Sequence, residues 1–268
     1  MRHAIVTGGS SGIGLSIARL LAERGDAVTL VASREGPLRD ARAAVGTLPG
    51  VAAERIGSIR CDVRDGPALA AEIAEAEARL GACDTLVTSA GVVRPGRFED
   101  LDAAEFSRQM DINFIGTVNA VRAVYPGMAA RGRGRIGMIC SAAGLLGIFG
   151  HSAYAPSKFA VRGFAEALRM EARPRGVSIS VCYPPDTDTP QLAAEAEHKP
   201  PETHAIAGSA RVWRADDVAR LTVDGIERGR KGIYPGLEIK ALSALGPLLR
   251  PLLDRYFDHI VASVQRTT

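Results

Sequence analysis

Aromatic residues make up only 5% of this 268-residue chain, and its formal net charge at pH 7 is a mere +3. No Lys/Arg run is interleaved with aromatic rings in the way a base-stacking surface requires, so a nucleic-acid partner is not expected. Cysteine is scarce as well. The 4 thiols, at Cys61, Cys83, Cys140 and Cys182, form no CxxC pair and lack His or Cys neighbours at zinc spacing. That excludes a disulfide framework and any metal site, and fits scattered core thiols in a reducing compartment. Uninterrupted apolar stretches of the roughly 18 residues that a spanning helix needs are missing. The strand-like run His3-Ala4-Ile5-Val6 begins at once and leaves no room for a targeting segment, so a cytoplasmic location is expected. Disorder of the bulk is excluded by a composition that is 46% hydrophobic and 24% charged.

What the chain does have is alternation. Short apolar runs at Ala4–Thr7, Ala27–Ala32, Ile56–Cys61, Asp84–Thr88, Arg135–Cys140, Val177–Cys182 and Gly232–Tyr234 read as strands. Helical spacing separates them at Ile13–Ala22, Leu38–Val45, Ala68–Leu80, Ala103–Ala130, Ala153–Ala172 and Ala215–Ile226. The pattern predicts an α/β fold: a single Rossmann-like, doubly wound parallel sheet of about seven strands with helices on both faces. No linker, repeat or low-complexity segment divides residues 1–268, so one domain is expected. Gly144–Ser152 and a proline-rich stretch at 184–209 lack periodicity. Both follow strands, where the ligand crevice of such a sheet lies, and the second reads as a substrate lid.

Between the first strand and first helix lies Thr7-Gly8-Gly9-Ser10-Ser11-Gly12-Ile13-Gly14. Glycines at 8, 12 and 14 permit a tight turn and close backbone approach, and the exposed N–H groups of the helix start suit a pyrophosphate. The end of the second strand reads Ser33-Arg34, where an acidic residue would hold the ribose hydroxyl of NAD. A guanidinium forks onto a 2′-phosphate instead, which favours NADPH/NADP+. Downstream, Tyr154 and Lys158 stand at i, i+4 and share a helix face. An ammonium beside a phenol lowers the phenol's pKa and makes it a usable proton donor.

With Asn113, with Ser141 just past the fifth strand, and with Thr88-Ser89-Ala90-Gly91 closing the fourth, the chain resembles the short-chain dehydrogenase/reductase family from about Ala4 to Leu237. The resemblance implies a catalytic tetrad of Asn113, Ser141, Tyr154 and Lys158. Tyr154 would be the acid in carbonyl reduction or the base in the reverse, and Lys158 would hold the nicotinamide ribose. Ser141 would hydrogen-bond the substrate oxygen, and Asn113 would position a water for proton relay. It implies further cofactor contacts from Gly8, Ser10, Ser11, Gly12, Ile13 and Gly14, from Ser33 and Arg34, and from Asp62 and Val63 at the adenine. Ser89, Ala90, Gly91, Pro184, Thr187 and Thr189 complete that set. Two positions depart from the family pattern: Thr88-Ser89 replaces Asn-Asn, and Pro185 replaces a glycine after the sixth strand.

The segment Tyr183-Pro184-Pro185-Asp186-Thr187-Asp188-Thr189-Pro190 is similar to that of the 3-ketodihydrosphingosine reductases. So are Leu146–Gly150, Ser157–Gly163 and Lys199–Thr203. That resemblance implies NADPH-dependent reduction of the 3-keto group of a long-chain 2-amino-1-hydroxy ketone. Asp186 or Asp188 would then pair with the substrate ammonium, or each would cap a local turn. Leu145, with Leu146, Ile148 and Phe149, would line an apolar entrance, or serve as core or subunit contacts; His151 would touch substrate or solvent. The alternatives are a reductase of another apolar ketone or alcohol (steroid, retinoid or β-ketoacyl thioester) and a non-catalytic NADP-sensing scaffold. Finally, an apolar helical stripe at 248–264 faces a mixed-charge side. It fits packing on the domain's own core, a homo-oligomer contact (dimer or tetramer), or peripheral contact with a membrane.

Overall fold

The computed structural model describes residues 2–208 and 211–266. Strand β1 (His3–Thr7) leads into helix α1 (Gly12–Glu23), β2 (Ala27–Ala32), α2 (Glu35–Gly46), β3 (Ile56–Arg60), α3 (Gly66–Leu80) and β4 (Cys83–Thr88). The second half continues through α4 (Ala103–Met110), α5 (Gly116–Arg131), β5 (Gly134–Ile139), α6 (Tyr154–Ala172) and β6 (Val177–Cys182). Beyond it come β7 (Thr187–Asp188), α7 (Pro190–Ala196), α8 (Pro201–Ala207), β8 (Trp213–Arg214), α9 (Ala215–Glu227), β9 (Gly232–Ile233) and α10 (Leu237–Gln265).

The main sheet has seven strands in the order β3-β2-β1-β4-β5-β6-β9, all parallel. Because side chains alternate along a strand, β1 sends Ile5 to one face and Ala4 and Val6 to the other. Ile5 joins the apolar stripes of α3, α5 and α6, including Leu69, Val121 and Val161. Ala4 and Val6 meet α1, α2 and α9 through Ile17, Leu38 and Val223. Strand order reverses between β1 and β4, so a crevice opens beyond their carboxyl ends.

Three segments differ from the sequence expectation. The long helix expected at 103–130 carries a π-helical turn, Asp111–Ile115, between α4 and α5. The stretch at 184–209 is not irregular. It holds α7 and α8, and its β7 pairs with β8 in a second, two-stranded sheet, while Ser209 falls outside the described residues. Thr189 caps α7 by accepting from the Leu192 N–H at 3.2 Å, and Pro190 supplies the fixed φ of a first turn. The C-terminal helix starts at Leu237, well before residue 248. It packs on α8, and Ile239 reaches the core, while Leu237, Leu245, Leu248, Leu252 and Tyr256 stay exposed. No helix among the described residues is long and apolar enough to cross a membrane.

Candidate active site

The glycine loop shapes the crevice floor. Gly8 and Gly12 have φ of +66° and +54°, a region that disfavours residues with a Cβ. A Cβ on Gly8 would stand 2.7 Å from the Ala90 nitrogen, and one on Gly14 would strike the Gly8 carbonyl oxygen. At the start of α1, Ser11 makes no side-chain cap and the first turn holds no acidic residue. Its N–H groups therefore remain open to an anion. Thr7 Oγ1 accepts from the Ser89 and Ala90 N–H groups, both at 3.2 Å, tying the loop to the end of β4. Arg34, at the start of α2, is exposed and has no acidic partner among the described residues. Asp62 is engaged by the Arg64 guanidinium at 2.6 Å, and Val63 is buried against Gly116. These features fit a dinucleotide pyrophosphate with a 2′-phosphate at its far end.

A cleft of about 410 Å³ opens above this floor. Its lining includes Gly8, Ser11, Gly12, Ile13, Ser89, Gly91, Ser141, Tyr154, Lys158, Pro184, Thr187 and Thr189. Ser10, Ala90 and Asn113 stand behind that surface, and Ser33, Arg34, Asp62 and Val63 lie beyond it at the ends of β2 and β3. The lid closes onto the glycine loop through Thr189, whose γ-methyl lies 3.0 Å from where a Gly12 Cβ would be.

Ser141 follows β5, and its Oγ accepts from the Ala143 N–H at 3.1 Å. Its hydroxyl is near enough to the Tyr154 phenol, which begins α6, to favour loss of the phenol proton. Lys158, one turn further on, is buried; its Nζ donates to the Ile139 carbonyl at 3.2 Å and sits 5.6 Å from the Tyr154 ring centroid. The lowering of the phenol's pKa expected from this ammonium is outweighed by burial. Burial pushes the Tyr154 phenol upward, opposed by the Ser141 hydroxyl, and burial pushes the Lys158 ammonium downward. The phenol is thus held protonated at neutral pH, the state a proton donor needs.

Asn113 sits in the π-helical turn, a distortion that recurs at functional sites. Its Oδ1 accepts from the Val92 N–H at 2.7 Å, and its Nδ2 donates to the Val92 carbonyl and to Ser157 Oγ, both at 2.9 Å. The side chain therefore braces the loop after Gly91 against the helix that carries Tyr154 and Lys158.

The substrate expectations divide. Asp186 lines the cleft, whereas Asp188 does not. In β7 the side chains alternate, so Thr187 turns inward and is buried while Asp188 faces out and is exposed. Leu145 packs against the core instead of entering the cleft, and Ile148 takes that place. His151 lines the cleft with its ring centroid 5.9 Å from that of Tyr154, and burial holds its pKa below the ordinary value. Sequence reasoning missed Glu195 and Lys199, which also line the cleft, and the apolar end formed by Ile206, Ala207, Ile239 and Phe257. The i, i+4 spacing of Glu195 and Lys199 was the available signal. The thiols behave as core groups: all are buried, and burial pushes Cys140 to about 11. Among the described residues no group of His, Cys, Asp and Glu could hold a metal ion.

Such a fold, with a phenol, a hydroxyl and an ammonium gathered beside a dinucleotide cradle, defines a nicotinamide-dependent oxidoreductase acting on ketone or hydroxyl groups. Residues 2–200 match the short chain dehydrogenase family. A 3-dehydrosphinganine reductase of Danio rerio is 40% identical over 244 residues, covering 91% of this chain and 74% of the relative. A 3-ketodihydrosphingosine reductase of Bos taurus is 41% identical over the same shares. One from Dictyostelium discoideum is 34% identical over 99% of this chain and 84% of its own length. Among solved structures, an actinorhodin polyketide ketoreductase with NADPH superposes with a TM-score of 0.80, at 28% identity, covering 90% of this chain and 97% of the other. A short-chain dehydrogenase of Sphingobium yanoikuyae in complex with NADPH gives 0.79 at 25% identity, covering 95% and 96%. The chain belongs to the short-chain dehydrogenase family.

Proposed function

We propose that this protein reduces the 3-keto group of 3-ketodihydrosphingosine to dihydrosphingosine. The observation that carries the reading is one continuous cleft lined together by the glycine loop, by Ser141, Tyr154 and Lys158, and by the apolar Ile148, Ile206, Ile239 and Phe257. An aliphatic tail suits those apolar side chains. Identities of 40% and 41% to reductases named for this substrate support it. The nicotinamide, when bound, supplies the hydride that reduces a carbonyl carbon. Tyr154 Oη gives the proton to the carbonyl oxygen, and Ser141 Oγ orients that oxygen by hydrogen bonding. Lys158 holds the nicotinamide ribose and presents its positive charge beneath the phenol as the proton leaves. Gly12, Ile13 and the open first turn of α1 hold the pyrophosphate, and Arg34 takes the 2′-phosphate.

The test is NADPH oxidation with 3-ketosphinganine beside neutral long-chain ketones, a steroid ketone and a β-ketoacyl thioester. The amino ketone is expected to show the highest kcat/KM. Preference for the thioester, the chemistry nearest the polyketide ketoreductase, would overturn the reading. The apolar face of α10 that the chain leaves uncovered supports a contact with a second subunit, as dimer or tetramer, or with a bilayer surface from the cytoplasmic side. Sedimentation and liposome flotation, each with and without residues 248–268, separate the two.

A further inference from the structure

The roof of the cleft carries a charge arrangement that proton transfer does not use. Lys199 follows α7, and its side chain is only 8% exposed. Its Nζ stands 3.5 Å from Glu195 Oε2 and 3.7 Å from Asp186 Oδ2. Both separations exceed the usual range for a charge-assisted N–H···O contact, so this ammonium holds its carboxylates loosely. Glu195 is itself only 12% exposed. Burial pushes its carboxyl above the ordinary range in spite of the Lys199 charge, so the cation already present undercompensates it. Two carboxylates face one ammonium. The other titratable groups on the cleft wall are His151, whose pKa burial lowers, the phenol of Tyr154 and the thiol of Cys140, both raised by burial, and Lys158, lowered by it.

We propose that Asp186 and Glu195 form a binding site for the primary ammonium of the substrate, and that Lys199 occupies it as a tethered stand-in until that ammonium arrives. The inference rests on the proposed function, since it names how the amino group next to the ketone is recognised. The roof shares one cleft with the catalytic end: Asp186, Glu195, Lys199, His151 and Tyr154 all line it, and the charges of Glu195 and Asp186 raise the Tyr154 phenol. A ligand ammonium has three donors on a short reach and can approach both carboxylates closely, while Lys199 must span from the chain after α7. Lys199 is then a competitor and positioning residue. Its removal strengthens amine binding, whereas loss of either carboxylate weakens it.

The opposite signs make the test. Activities are compared on 3-ketosphinganine and on its N-acetyl derivative, which keeps the ketone and tail but loses the charge. Glu195→Gln and Asp186→Asn are each expected to lower the ratio of the two kcat/KM values about tenfold. Lys199→Met is expected to lower KM for the amino ketone severalfold and raise that ratio, a gain that misfolding does not produce. A second readout needs no turnover. Trp213, the sole tryptophan, pairs through its backbone N–H with the Asp186 carbonyl at 2.9 Å, so its fluorescence reports on the roof. Dodecylamine is expected to perturb it at lower concentration than dodecanol, and Glu195→Gln to erase the difference. Unchanged ratios in both carboxylate variants, or a fall in Lys199→Met, would overturn the ammonium site. Absence of turnover on either ketone would defeat the proposed function, and the amine titration would still decide the site.

Discussion

Replacing Asn113 with Ala tests whether the side chain is a brace. In the native structure its amide serves the N–H and C=O of Val92 and the Ser157 hydroxyl, and it is 1% exposed. Ser157 keeps its own bond to the Tyr154 carbonyl at 2.7 Å, so the loss falls mainly on the two Val92 groups. A stranded buried polar group costs about 1–3 kcal/mol, and Val92 is half-buried, so water restores part of the loss. The expected destabilisation is about 3 kcal/mol, which for a chain of this size is a fall in Tm of about 6–12 °C. Calorimetric or circular-dichroism melting measures it. Asn113→Asp sharpens the test. The carboxylate still accepts from the Val92 N–H but sets a negative oxygen against the Val92 carbonyl. Only its protonated form can donate there, so the folded state binds this proton more tightly than the unfolded state. Stability of the Asp variant should therefore rise as pH falls, the reverse of an ordinary carboxylate. An unchanged Tm in the Ala variant, or an Asp variant as stable as wild type at neutral pH, would refute the brace.

Arg34→Ala should raise KM for NADPH by about tenfold or more while leaving KM for NADH nearly unchanged, because only the 2′-phosphate engages the guanidinium; equal effects on both cofactors would remove the specificity argument. Tyr154→Phe should cut kcat by about 10²–10⁴-fold and leave NADPH binding, followed by cofactor fluorescence, intact. His3 is buried, with Nδ1 2.6 Å from the Gly81 carbonyl and Nε2 2.8 Å from Thr29 Oγ1, and burial lowers its pKa from the ordinary 6.5. The unfolded chain then binds that proton more tightly, so its contribution to stability is complete above about 6.5 and is lost as pH falls below it; His3→Gln should flatten that acid limb in urea titrations. Glu195→Gln should shift the alkaline limb of kcat/KM for reduction to lower pH, since a negative charge that holds the phenol's proton is gone.

The dinucleotide end was legible because its information is local. The second strand spans Ala27–Ala32 as read from its β-branched run, and the glycines at 8, 12 and 14 stand at a turn whose backbone only glycine fits. What escaped depends on tertiary contact. The π-helical turn at Asp111–Ile115 is fastened by Asn113 to Val92, a partner far away in sequence, and leaves no periodic trace. Helices α7 and α8 are too short for an apolar stripe, though Thr189-Pro190 and Pro200-Pro201 were start signals. The apolar stripe was read only from residue 248, so the first turns of α10, from Leu237, were not anticipated. Leu145 and Ile148 were indistinguishable by composition; in the fold Leu145 packs against the core and Ile148 lines the cleft.

These two kinds of encoding meet at Tyr154. Its acidity is set from below by groups close to it in sequence, through burial on α6 and the Ser141 hydroxyl. It is set from above by the lid, whose Glu195 and Asp186 charges raise the phenol further. A ligand without charge leaves those carboxylates acting at full strength on the phenol and meets a weak acid. A ligand bearing an ammonium neutralises part of that field, and the phenol becomes the stronger acid at the moment a carbonyl oxygen stands beside it. With the proposed ammonium site, recognition and proton transfer become one electrostatic event, and the amino group is expected to raise kcat as well as lower KM, which a comparison of the amino ketone with its N-acetyl derivative checks.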